Sequence, residues 1–505
     1  MVEPERFVLG IDAGTTSVKT VAFAPDGAVV AMARSTLHVQ RGEKGEAELD
    51  MNRVWEATAS TLTAVVEQLG GALVTGIGIT GQGDGLWLVD GDGVPIGNAA
   101  LWMDGRADAQ IDAWEADGRA DSVHRITGSR PFAGAFPMLL EMAVAADPGL
   151  PGRLGHHLNC KDWLGFKLTG VIATDPSEGS RTYLDLATGE YSDDLLTTLG
   201  QQAVRDALPP VHTPGTVLGI VGERVAGELG LRPGIPVVTA LVDVATAGVG
   251  LGVLGNGRGY LILGTTGVVA INHARGAEVR SGASLVVRTG RGDQVLEALA
   301  PMTGTPNLDW VRRTLGFSDT TWDELEVRAA AVPPGSAGIL YLPYGSPSGE
   351  RAPFSDSSAS AAWLGMSVTT GPDELLRSVY EGLAFSLTEC IETLGLIGPL
   401  TICGGGSESD LFCSILADVS GAPIHRQNAP EVGARGAAYL AASAVGLFPD
   451  LPAAITAMSP ATRVFEPDAS RHEHYRAVYA TFVETRDSLR PQWPALRKLR
   501  QHSQA

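Results

Sequence analysis

Two short turns rich in glycine and threonine carry the residue types that bind polyphosphates. The first is Asp12-Ala-Gly-Thr-Thr-Ser-Val-Lys19, and the second, Gly264-Thr-Thr-Gly267, follows a similar apolar run about 250 residues later. Such turns offer backbone N–H groups and hydroxyls to phosphate oxygens. Asp12 adds a carboxylate that could hold Mg²⁺, and Lys19 adds a positive charge. An ordinary hairpin with polar caps would explain the first turn alone, but the pair predicts a two-lobed enzyme that uses ATP.

A further acid, Asp243, lies between an apolar strand and a helix. At such a junction an acid is either a helix N-cap or a catalytic group in the crevice at the strand ends. Taken alone, Asp243 is better interpreted as an N-cap. Together with the two predicted phosphate turns, the catalytic role is the better interpretation. Phosphoryl transfer to an alcohol needs a carboxylate that orients the hydroxyl and accepts its proton. Asp243 is therefore the candidate general base.

Two other segments have the composition of binding loops. Gly404-Gly-Gly-Ser-Glu-Ser-Asp410 joins a predicted strand to a predicted helix, where an adenine ring could lie flat against backbone. Glycines that serve packing alone would give the same pattern. Gln82-Gly-Asp84 also follows a strand, and the side chains of Gln82 and Asp84 can bind vicinal hydroxyls. Gly83 leaves room between them for a small substrate.

The segment Leu101-Trp-Met-Asp-Gly-Arg106 could form a wall of the same pocket. In that interpretation Trp102 contacts the substrate. Asp104 and Arg106 could equally be a structural ion pair, so the segment is expected to have mixed roles.

Two glycine patterns resemble a dinucleotide-binding fingerprint. Gly76-Ile-Gly-Ile-Thr-Gly81 and Gly250-Leu-Gly-Val-Leu-Gly255 both read Gly-x-Gly-x-x-Gly. Neither has the strand–turn–helix context that the fingerprint needs. An NAD-dependent oxidoreductase would rest on these two patterns alone. The sequence contains neither a Gly-x-x-x-x-Gly-Lys-Ser/Thr loop nor a Gly-x-Ser-x-Gly motif.

Composition sets the class of protein. The 505 residues exceed one typical core and predict two domains, and 44% apolar with 19% charged residues is typical of a globular chain. A formal net charge of -20 argues against nucleic acid as a partner, though not against a nucleotide. The four cysteines lack metal-ligand or disulfide spacing, which predicts reduced, buried thiols in a cytoplasmic protein. No uninterrupted apolar stretch of 18 residues predicts a membrane span.

The elements that must position these residues form a repeated α/β pattern. A meander of strands precedes a helix over 50–69 and a strand over 73–80, and a similar set recurs in the second half. This predicts a duplicated fold and not a simple doubly wound sheet. A mainly helical insert is expected over about 107–229. The predicted division is an N-terminal lobe of residues 1–252, a C-terminal nucleotide-binding lobe of residues 253–490 and a polar tail of residues 491–505.

Over about residues 7–465 the chain resembles the FGGY carbohydrate kinases. The most specific segment is Ala361-Ala-Trp-Leu-Gly-Met-Ser-Val-Thr-Thr-Gly-Pro-Asp-Glu-Leu-Leu-Arg-Ser-Val-Tyr-Glu381, and Gly349-Glu-Arg-Ala-Pro353 and Lys161-Asp-Trp-Leu164 also match. The resemblance implies the duplicated ribonuclease-H-like, actin-type ATPase fold, with the active site in the cleft between lobes. It also implies ATP and Mg²⁺ as cofactors. Asp356-Ser-Ser-Ala-Ser360 departs from the family pattern, which usually has a proline and an arginine there.

The resemblance also implies residue roles. Asp12 and Asp243 would flank the reacting centre, with Asp243 as base. Phosphates would be contacted from one lobe by Thr15, Thr16 and Lys19 and from the other by Gly264 and Thr265. The nucleotide site would be lined by Gly304, Gly405 and Ser409.

Substrate choice is indicated by the loop around Gly83. Xylulokinases typically have Met-His where this chain has Gly83-Asp84, and glycerol kinases have Arg-Glu. Thr80-Gly-Gln-Gly-Asp-Gly85 and Asp175-Pro-Ser-Glu-Gly179 look most like the erythritol kinase and L-xylulose kinase branch. The expected acceptor is a small sugar or polyol, with erythritol first and L-xylulose or D-xylulose next. The sequence is compatible with a homodimer but does not establish the oligomeric state. The alternative class of protein is a non-kinase actin-like ATPase, such as a chaperone or scaffold.

Overall fold

The computed structural model describes residues 6–274, 276 and 279–502. The strands before residue 250 are β1 (Arg6–Ala13), β2 (Ser17–Phe23), β3 (Val29–Thr36), β4 (Gln40–Arg41), β5 (Ala47–Leu49), β6 (Leu73–Gly81), β7 (Leu88–Val89), β8 (Ala99–Ala100), β9 (His156–His157), β10 (Val217–Ile220) and β11 (Pro236–Thr239). The helices of this part are α1 (Met51–Gln68), α2 (Asp108–Asp117), α3 (Arg119–Thr127), α4 (Phe136–Ala146), α5 (Cys160–Thr169), α6 (Pro176–Gly179), α7 (Asp193–Thr198), α8 (Glu223–Leu229) and α9 (Asp243–Gly250).

The second half continues with strands and longer helices. Its strands are β12 (Gly259–Leu263), β13 (Gly267–Ala274), β14 (Leu285–Arg288), β15 (Gln294–Leu299), β16 (Leu340–Leu342), β17 (Ala362–Leu364), β18 (Leu400–Cys403), β19 (Ile424–Gln427) and β20 (Thr462–Phe465). Its helices are α10 (Pro306–Thr314), α11 (Trp322–Ala331), α12 (Pro372–Leu394), α13 (Asp410–Ser420), α14 (Val432–Ala444), α15 (Leu451–Met458), α16 (Ala469–Leu489) and α17 (Trp493–His502).

The two large sheets repeat one strand order. The first follows β3-β2-β1-β6-β11-β10, with β2 antiparallel to both neighbours, β6 and β11 parallel to β1, and β10 antiparallel to β11. The second follows β15-β13-β12-β18-β19-β20 with the same directions, and β14 is added beside β15. The predicted two-lobed, duplicated α/β fold is therefore confirmed.

Local sequence explains why the first repeat forms. The apolar residues of β1 are buried on both faces of the sheet, and β2 and β6 flank it. Helix α1 begins where the Asp50 side chain accepts hydrogen bonds from the N–H groups of Asn52 and Arg53, which is the usual role of an N-cap aspartate. Its apolar stripe, which includes Val54, Leu62 and Val65, packs into the core under this sheet.

Helix α14 joins the two halves. It follows β19 as α9 follows β11, and it contacts α9, β1 and β6. A Cβ added at Gly10 would lie 1.9 Å from the carbonyl oxygen of Ala434, and one added at Gly78 would lie 2.0 Å from that of Ala437. At Gly250 the added atom would lie 2.1 Å from the carbonyl oxygen of Val432. The glycines of both dinucleotide-like patterns thus permit close packing.

The C-terminal residues differ from the predicted polar tail. Residues 493–502 form α17, and the Trp493 side chain is only 1% exposed. Its ring stacks on Phe354 at a centroid distance of 5.9 Å and meets Tyr344 edge-on at 5.6 Å. The charge of the segment suggested a solvated tail, but one tryptophan in it completes the core of the second lobe.

Residues 107–229 are mainly helical and also contain two strands, β9 and β10. Helices α2 to α8 lie within residues 107–229, but β10 from the same range forms the edge of the first sheet. All four cysteines are buried and unpaired, as expected. Across the described residues, none of the helices combines the length and apolar character needed to span a membrane.

Candidate active site

Asp12 and Asp243 lie at the same edge of the first sheet. Asp12 is near the C-terminal end of β1, and Asp243 is the first residue of α9, just after β11. Because β1 and β11 both pair in parallel with β6, their C-terminal ends meet at one edge. Burial raises the pKa of Asp12 to about 6, with Lys19 opposing the shift and Glu431 adding to it.

The environment of Asp243 favours a proton acceptor that works near neutrality. Burial, and then the negative charge of Asp12, raise its pKa to about 7, although the N–H of Val244 opposes the shift and Asp84 adds to it. The N-cap position of α9 is occupied by Val242, so Asp243 is not the cap residue. Its Oδ1 accepts the N–H of Val244 at 2.6 Å. The structure thus leaves its other oxygen for a different partner.

A hydrogen-bonded chain connects the first Gly-Thr-Thr turn to the predicted acceptor loop. Thr15 Oγ1 donates to Gln82 Oε1 at 2.9 Å and accepts from Trp102 Nε1 at 3.1 Å. The Nε2 of Gln82 is buried and has no hydrogen-bond partner among the described residues. Thr16 lies in the same turn, where its carbonyl accepts the N–H of Leu37 at 2.8 Å. The sequence predicted Gln82 and Trp102 for the acceptor pocket and Thr15 for phosphate, and the structure brings all three side chains together.

Lys19 has a protein partner that the sequence did not predict. Its Nζ lies 2.5 Å from Oε2 of Glu431, at the N-terminus of α14. Glu431 has a φ of 55°, in the left-handed region that side chains other than glycine seldom adopt. The repeat provides a signal that could have found it, because Glu431 follows β19 as Asp243 follows β11.

Asp84 is held by an arginine from the insert. Nε of Arg181 lies 3.0 Å from Oδ1 of Asp84, and both side chains are nearly buried. Burial raises the pKa of Asp84, and Arg181 opposes the shift. Asp84 also has a φ of 58°, a conformation that strains a residue with a side chain. Next to it, a Cβ at Gly83 would lie 2.4 Å from Cγ2 of Val242, so only glycine fits between the loop and α9.

Below this loop lies a group of buried charges. Nζ of Lys161 contacts Asp162 and Asp175, each at 2.6 Å. Burial opposes the charge of Lys161, yet the two carboxylates outweigh it and raise its pKa. Glu178 lies in the same group without a hydrogen-bond partner. The sequence matched these stretches to a family but assigned no role to Glu178 or Arg181. The signal that could have identified them is the presence of several charged residues within the short segment 175–181.

Trp102, Asp104 and Arg106 separate into two roles. The Trp102 side chain is 36% exposed and donates a hydrogen bond to Thr15 in the first Gly-Thr-Thr turn. Arg106 Nη2 pairs with Asp104 at 2.7 Å and with Glu48 at 2.7 Å, and Asp104 also accepts the N–H of Ala47. The structural alternative for Asp104 and Arg106 is therefore the one observed.

The second lobe presents the other Gly-Thr-Thr turn. The carbonyl of Gly264 accepts both the N–H of Thr305 at 2.9 Å and its hydroxyl at 3.0 Å, which ties this turn to the start of α10. A Cβ at Gly304 would lie 2.3 Å from the carbonyl oxygen of Thr265. Gly264, Thr265 and Gly304 thus form one compact unit in which backbone groups are close to the surface.

Gly405 and Ser409 lie beside this unit. A Cβ at Gly406 would lie 2.9 Å from Cγ2 of Thr305, whereas one at Gly405 would meet nothing within 4 Å. Ser409 caps α13, since its side chain accepts the N–H of Phe412 at 3.0 Å. A cavity of about 910 Å³ opens on another side of α10, with Thr265, Asn307, Trp310 and Tyr341 in its wall. Of the predicted nucleotide residues, Thr265 lines it.

Two family models cover most of the chain. The N-terminal domain of the FGGY family of carbohydrate kinases matches residues 7–250, and the C-terminal domain of the same family matches residues 259–445. The chain belongs to the FGGY family of carbohydrate kinases. Membership decides against a chaperone, a scaffold and an NAD-dependent oxidoreductase. This FGGY protein is a carbohydrate kinase, and ATP is the phosphoryl donor of its family.

Individual relatives agree with this assignment along the full length. The erythritol kinase of Brucella abortus (strain 2308) is 32% identical, with 98% of this chain and 99% of the relative covered. The L-xylulose/3-keto-L-gulonate kinase of Escherichia coli (strain K12) is 28% identical, with 94% and 96% covered.

Solved structures share the fold of this FGGY kinase. The gluconate kinase from Lactobacillus acidophilus superimposes with a TM-score of 0.89 at 22% identity, over 97% of this chain and 100% of that chain. The xylulose kinase from Rhodospirillum rubrum superimposes with a TM-score of 0.87 at 24% identity, over the same shares. At these identities the likeness establishes the two-lobed architecture.

Proposed function

We propose that this FGGY kinase transfers the γ-phosphoryl group of ATP to a hydroxyl of a small polyol or ketose, with erythritol as the first candidate and L-xylulose or D-xylulose next. The observation that carries the proposal is the pair of partly buried acids, Asp12 and Asp243, at one sheet edge. The pKa of each is raised, mainly by desolvation, and the charge of Asp12 adds to the shift of Asp243. Similarity to the erythritol kinase supports the order of acceptors.

Asp243 is the proposed general base. The acceptor oxygen forms a bond to the γ-phosphorus, the bond from phosphorus to the ADP oxygen breaks, and the hydroxyl proton passes to a carboxylate oxygen of Asp243. A base is most effective when its pKa lies near the working pH, and a pKa of about 7 meets that condition. Burial also removes the water that would compete for the phosphoryl group.

Asp12 is the proposed protein ligand of Mg²⁺. Among the described residues no group of three or more His, Cys, Asp or Glu side chains could hold a metal. Burial and the charges of Lys19 and Glu431, with no hydrogen bond, account for the pKa of the Asp12 carboxyl. Magnesium usually takes one or two carboxylates and completes its shell with water and phosphate oxygens, so a single free carboxylate at this edge fits it. Asp12 would hold the ion, which would neutralise phosphate charge.

The phosphates and nucleotide are assigned to the two turns and their neighbours. We assign Thr15, Thr16 and Lys19 to phosphate contacts from the first lobe, and Gly264 and Thr265 to contacts from the second. The nucleotide is assigned to Gly304, Gly405 and Ser409. For Lys19 the assignment requires it to leave or share Glu431, its partner at 2.5 Å.

The acceptor is assigned to the pocket walled by Gln82, Gly83, Asp84, Trp102 and Asp243. Support comes from the unpartnered Nε2 of Gln82 and from Asp84, which Arg181 fixes in place. A carboxylate accepts hydrogen bonds from hydroxyls and needs no carbonyl on the substrate. A polyol therefore fits this pocket better than a ketose does.

An acceptor panel tests the proposal. Purified kinase with ATP and Mg²⁺ is assayed for ADP release with erythritol, L-xylulose, D-xylulose and glycerol, and with no acceptor. We expect the highest kcat/KM with erythritol and little hydrolysis without acceptor. Turnover on D-xylulose without turnover on erythritol would reverse the order, and equal ADP release with and without acceptors would refute acceptor phosphorylation.

A further inference from the structure

Glu178 is a buried carboxyl group without a hydrogen-bond partner. It lies in the short helix α6, and its side chain is 0% exposed. Neither Oε1 nor Oε2 has a hydrogen-bond partner among the described residues. Buried polar groups are almost always hydrogen-bonded, because leaving one unpaired loses its solvation without compensation. Two such oxygens on one side chain therefore need an explanation.

Its neighbours place Glu178 against the acceptor loop. A Cβ at Gly83 would lie 3.3 Å from Oε2 of Glu178. Asp84, on the other side of Gly83, is close enough to raise the pKa of Glu178, and Glu178 in turn raises that of Cys160, which also feels Asp12 and Asp243. The unpartnered carboxyl thus faces the same loop as the unpartnered Nε2 of Gln82.

The basic groups nearby are engaged with other carboxylates. Lys161 pairs with Asp162 and Asp175, and Arg181 pairs with Asp84. Burial raises the pKa of Glu178 well above its usual value; Lys161 opposes the shift, and Asp162, Asp175 and Asp84 add to it. A protonated carboxyl has one O–H donor beside an acceptor oxygen, and a primary amide likewise combines a donor group with an acceptor oxygen.

We propose that Glu178, together with Nε2 of Gln82, binds neighbouring hydroxyls of the acceptor and makes this pocket selective for acyclic polyols. The inference rests on the proposed function and names the substrate class of that site. The carboxyl donates to one hydroxyl oxygen and accepts from a second hydroxyl, while Gln82 donates to a third position. A carbonyl at the position that donates to the carboxyl could only accept, so it would leave the acceptor oxygen of Glu178 unpaired.

The test uses two substitutions of similar size to glutamate. Glu178→Gln keeps a donor and an acceptor, whereas Glu178→Met fills the volume without either. We expect Glu178→Met to raise the KM for erythritol about 10- to 100-fold, as loss of buried hydrogen bonds does. The KM for ATP stays unchanged, and Glu178→Gln keeps the erythritol KM within about threefold of the parent.

A matched control is Glu381→Gln. Glu381 is equally buried but fully hydrogen-bonded, to Gly335, Ser336, Arg377 and Tyr475, far along the chain from the acceptor loop. That variant should lower the Tm while leaving the erythritol KM unchanged. An unchanged erythritol KM in Glu178→Met would overturn the inference. So would a Glu178→Gln variant as impaired as Glu178→Met, or equal losses for ATP and erythritol.

Binding measurements separate this inference from the proposed function. If the parent kinase phosphorylates no member of the panel, the proposed function fails. Calorimetric titration with erythritol then still tests Glu178: binding by the parent and by Glu178→Gln but not by Glu178→Met supports the inference, and equal binding by all three contradicts it. If the parent is active and Glu178→Met keeps its polyol preference over ketoses, the inference alone fails.

Discussion

Burial governs the ionisation of the acids in the cleft. It is the largest influence on Asp12, Asp84, Asp243 and Glu178, and in each case it favours the neutral form. For Asp12 and Asp243 the folded pKa is above the unfolded one, so the stability they contribute is full below about pH 4 and is lost as the pH rises through about 6 and about 7. The ligand-free cleft thus carries a stability cost at neutral pH that a cation would offset.

Removal of the proposed base should stop transfer while sparing nucleotide binding. We expect Asp243→Asn to lower kcat by about 10²- to 10⁴-fold, the usual contribution of a general base. Calorimetry should still detect ATP binding, because the residues proposed for the nucleotide, Gly304, Gly405 and Ser409, lie on the other lobe. The exposed Asp108, which begins α2 as Asp243 begins α9, provides the control variant Asp108→Asn. Near-parental kcat in Asp243→Asn would remove this residue from the base role.

The rate should also depend on pH in a defined direction. Asp243 must be ionised to accept a proton, so kcat/KM for the acceptor should fall tenfold per unit below about pH 7 and level off above it. Asp12, Asp84, Tyr260 and Cys160 are the titratable groups that interact with Asp243.

The variant Asp84→Asn provides a check on this pH profile. Removing the negative charge of Asp84 leaves Arg181 unopposed, and the inflection should move to lower pH whatever the absolute rate. A parent profile that is flat from about pH 5.5 to about pH 8.5 would rule out a base with a pKa near 7.

At the scale of elements, α9 and α14 set the position of the acids. Asp243 begins α9 and Glu431 precedes α14, and the helices cross where Gly436 approaches Thr246. A Cβ at Gly436 would lie 2.1 Å from the carbonyl oxygen of Thr246. A side chain at Gly436 would therefore push α9 and α14 apart, and it would increase the distance between Asp243 and Glu431.

The variant Gly436→Ala tests this crossing. We expect a loss of about 1–3 kcal/mol in the free energy of unfolding, as overpacking of a core produces. The kcat should fall as well, because α9 carries Asp243. Gly227→Ala in α8 is the control: a Cβ there meets nothing within 4 Å, so it should be neutral or stabilising. Urea titrations measure both, and equal stability of the two variants would contradict the crossing as described.

Elements with strong local signals were predictable from sequence. The sequence predicts a helix over 372–394, a strand over 400–403 and a helix over 410–420 from apolar periodicity and terminal Gly, Pro or Ser. These are the bounds of α12, β18 and α13 in the structure. The docking of α14 on β1 was not predictable, because it depends on glycine and alanine contacts between segments more than 400 residues apart. In the site, Asp12 and Asp243 were predictable because each lies at or just after the end of a strand. Arg181 and Glu178 were not, because they belong to the insert and their position depends on how the insert packs against the first sheet.

Across the whole molecule, separate cores serve the first sheet, the insert and the second lobe, and a further core surrounds α9 and α14. The C-terminal helix belongs to the core of the second lobe through Trp493. Residues 493–502 are therefore part of the structural framework and not an appendage.

Trp493→Ala tests that contribution. We expect a loss of about 3–5 kcal/mol in the free energy of unfolding, the usual cost of deleting a buried aromatic side chain. Trp322, which is 36% exposed at the start of α11, provides the control Trp322→Ala with a much smaller loss. Thermal and urea denaturation measure both variants. Similar losses in the two would show that α17 does not contribute to the core.

The glycine crossing of α9 and α14 also constrains how such a gene can evolve. The two halves of the chain can accumulate substitutions independently over most of their length, since each has its own core. At Gly250 and Gly436 the two halves cannot change independently. A methyl group added at either glycine would collide with the backbone of the other half, so that backbone would have to move. Descendants of the duplication therefore inherit one coupled set of sites at which the halves must change together.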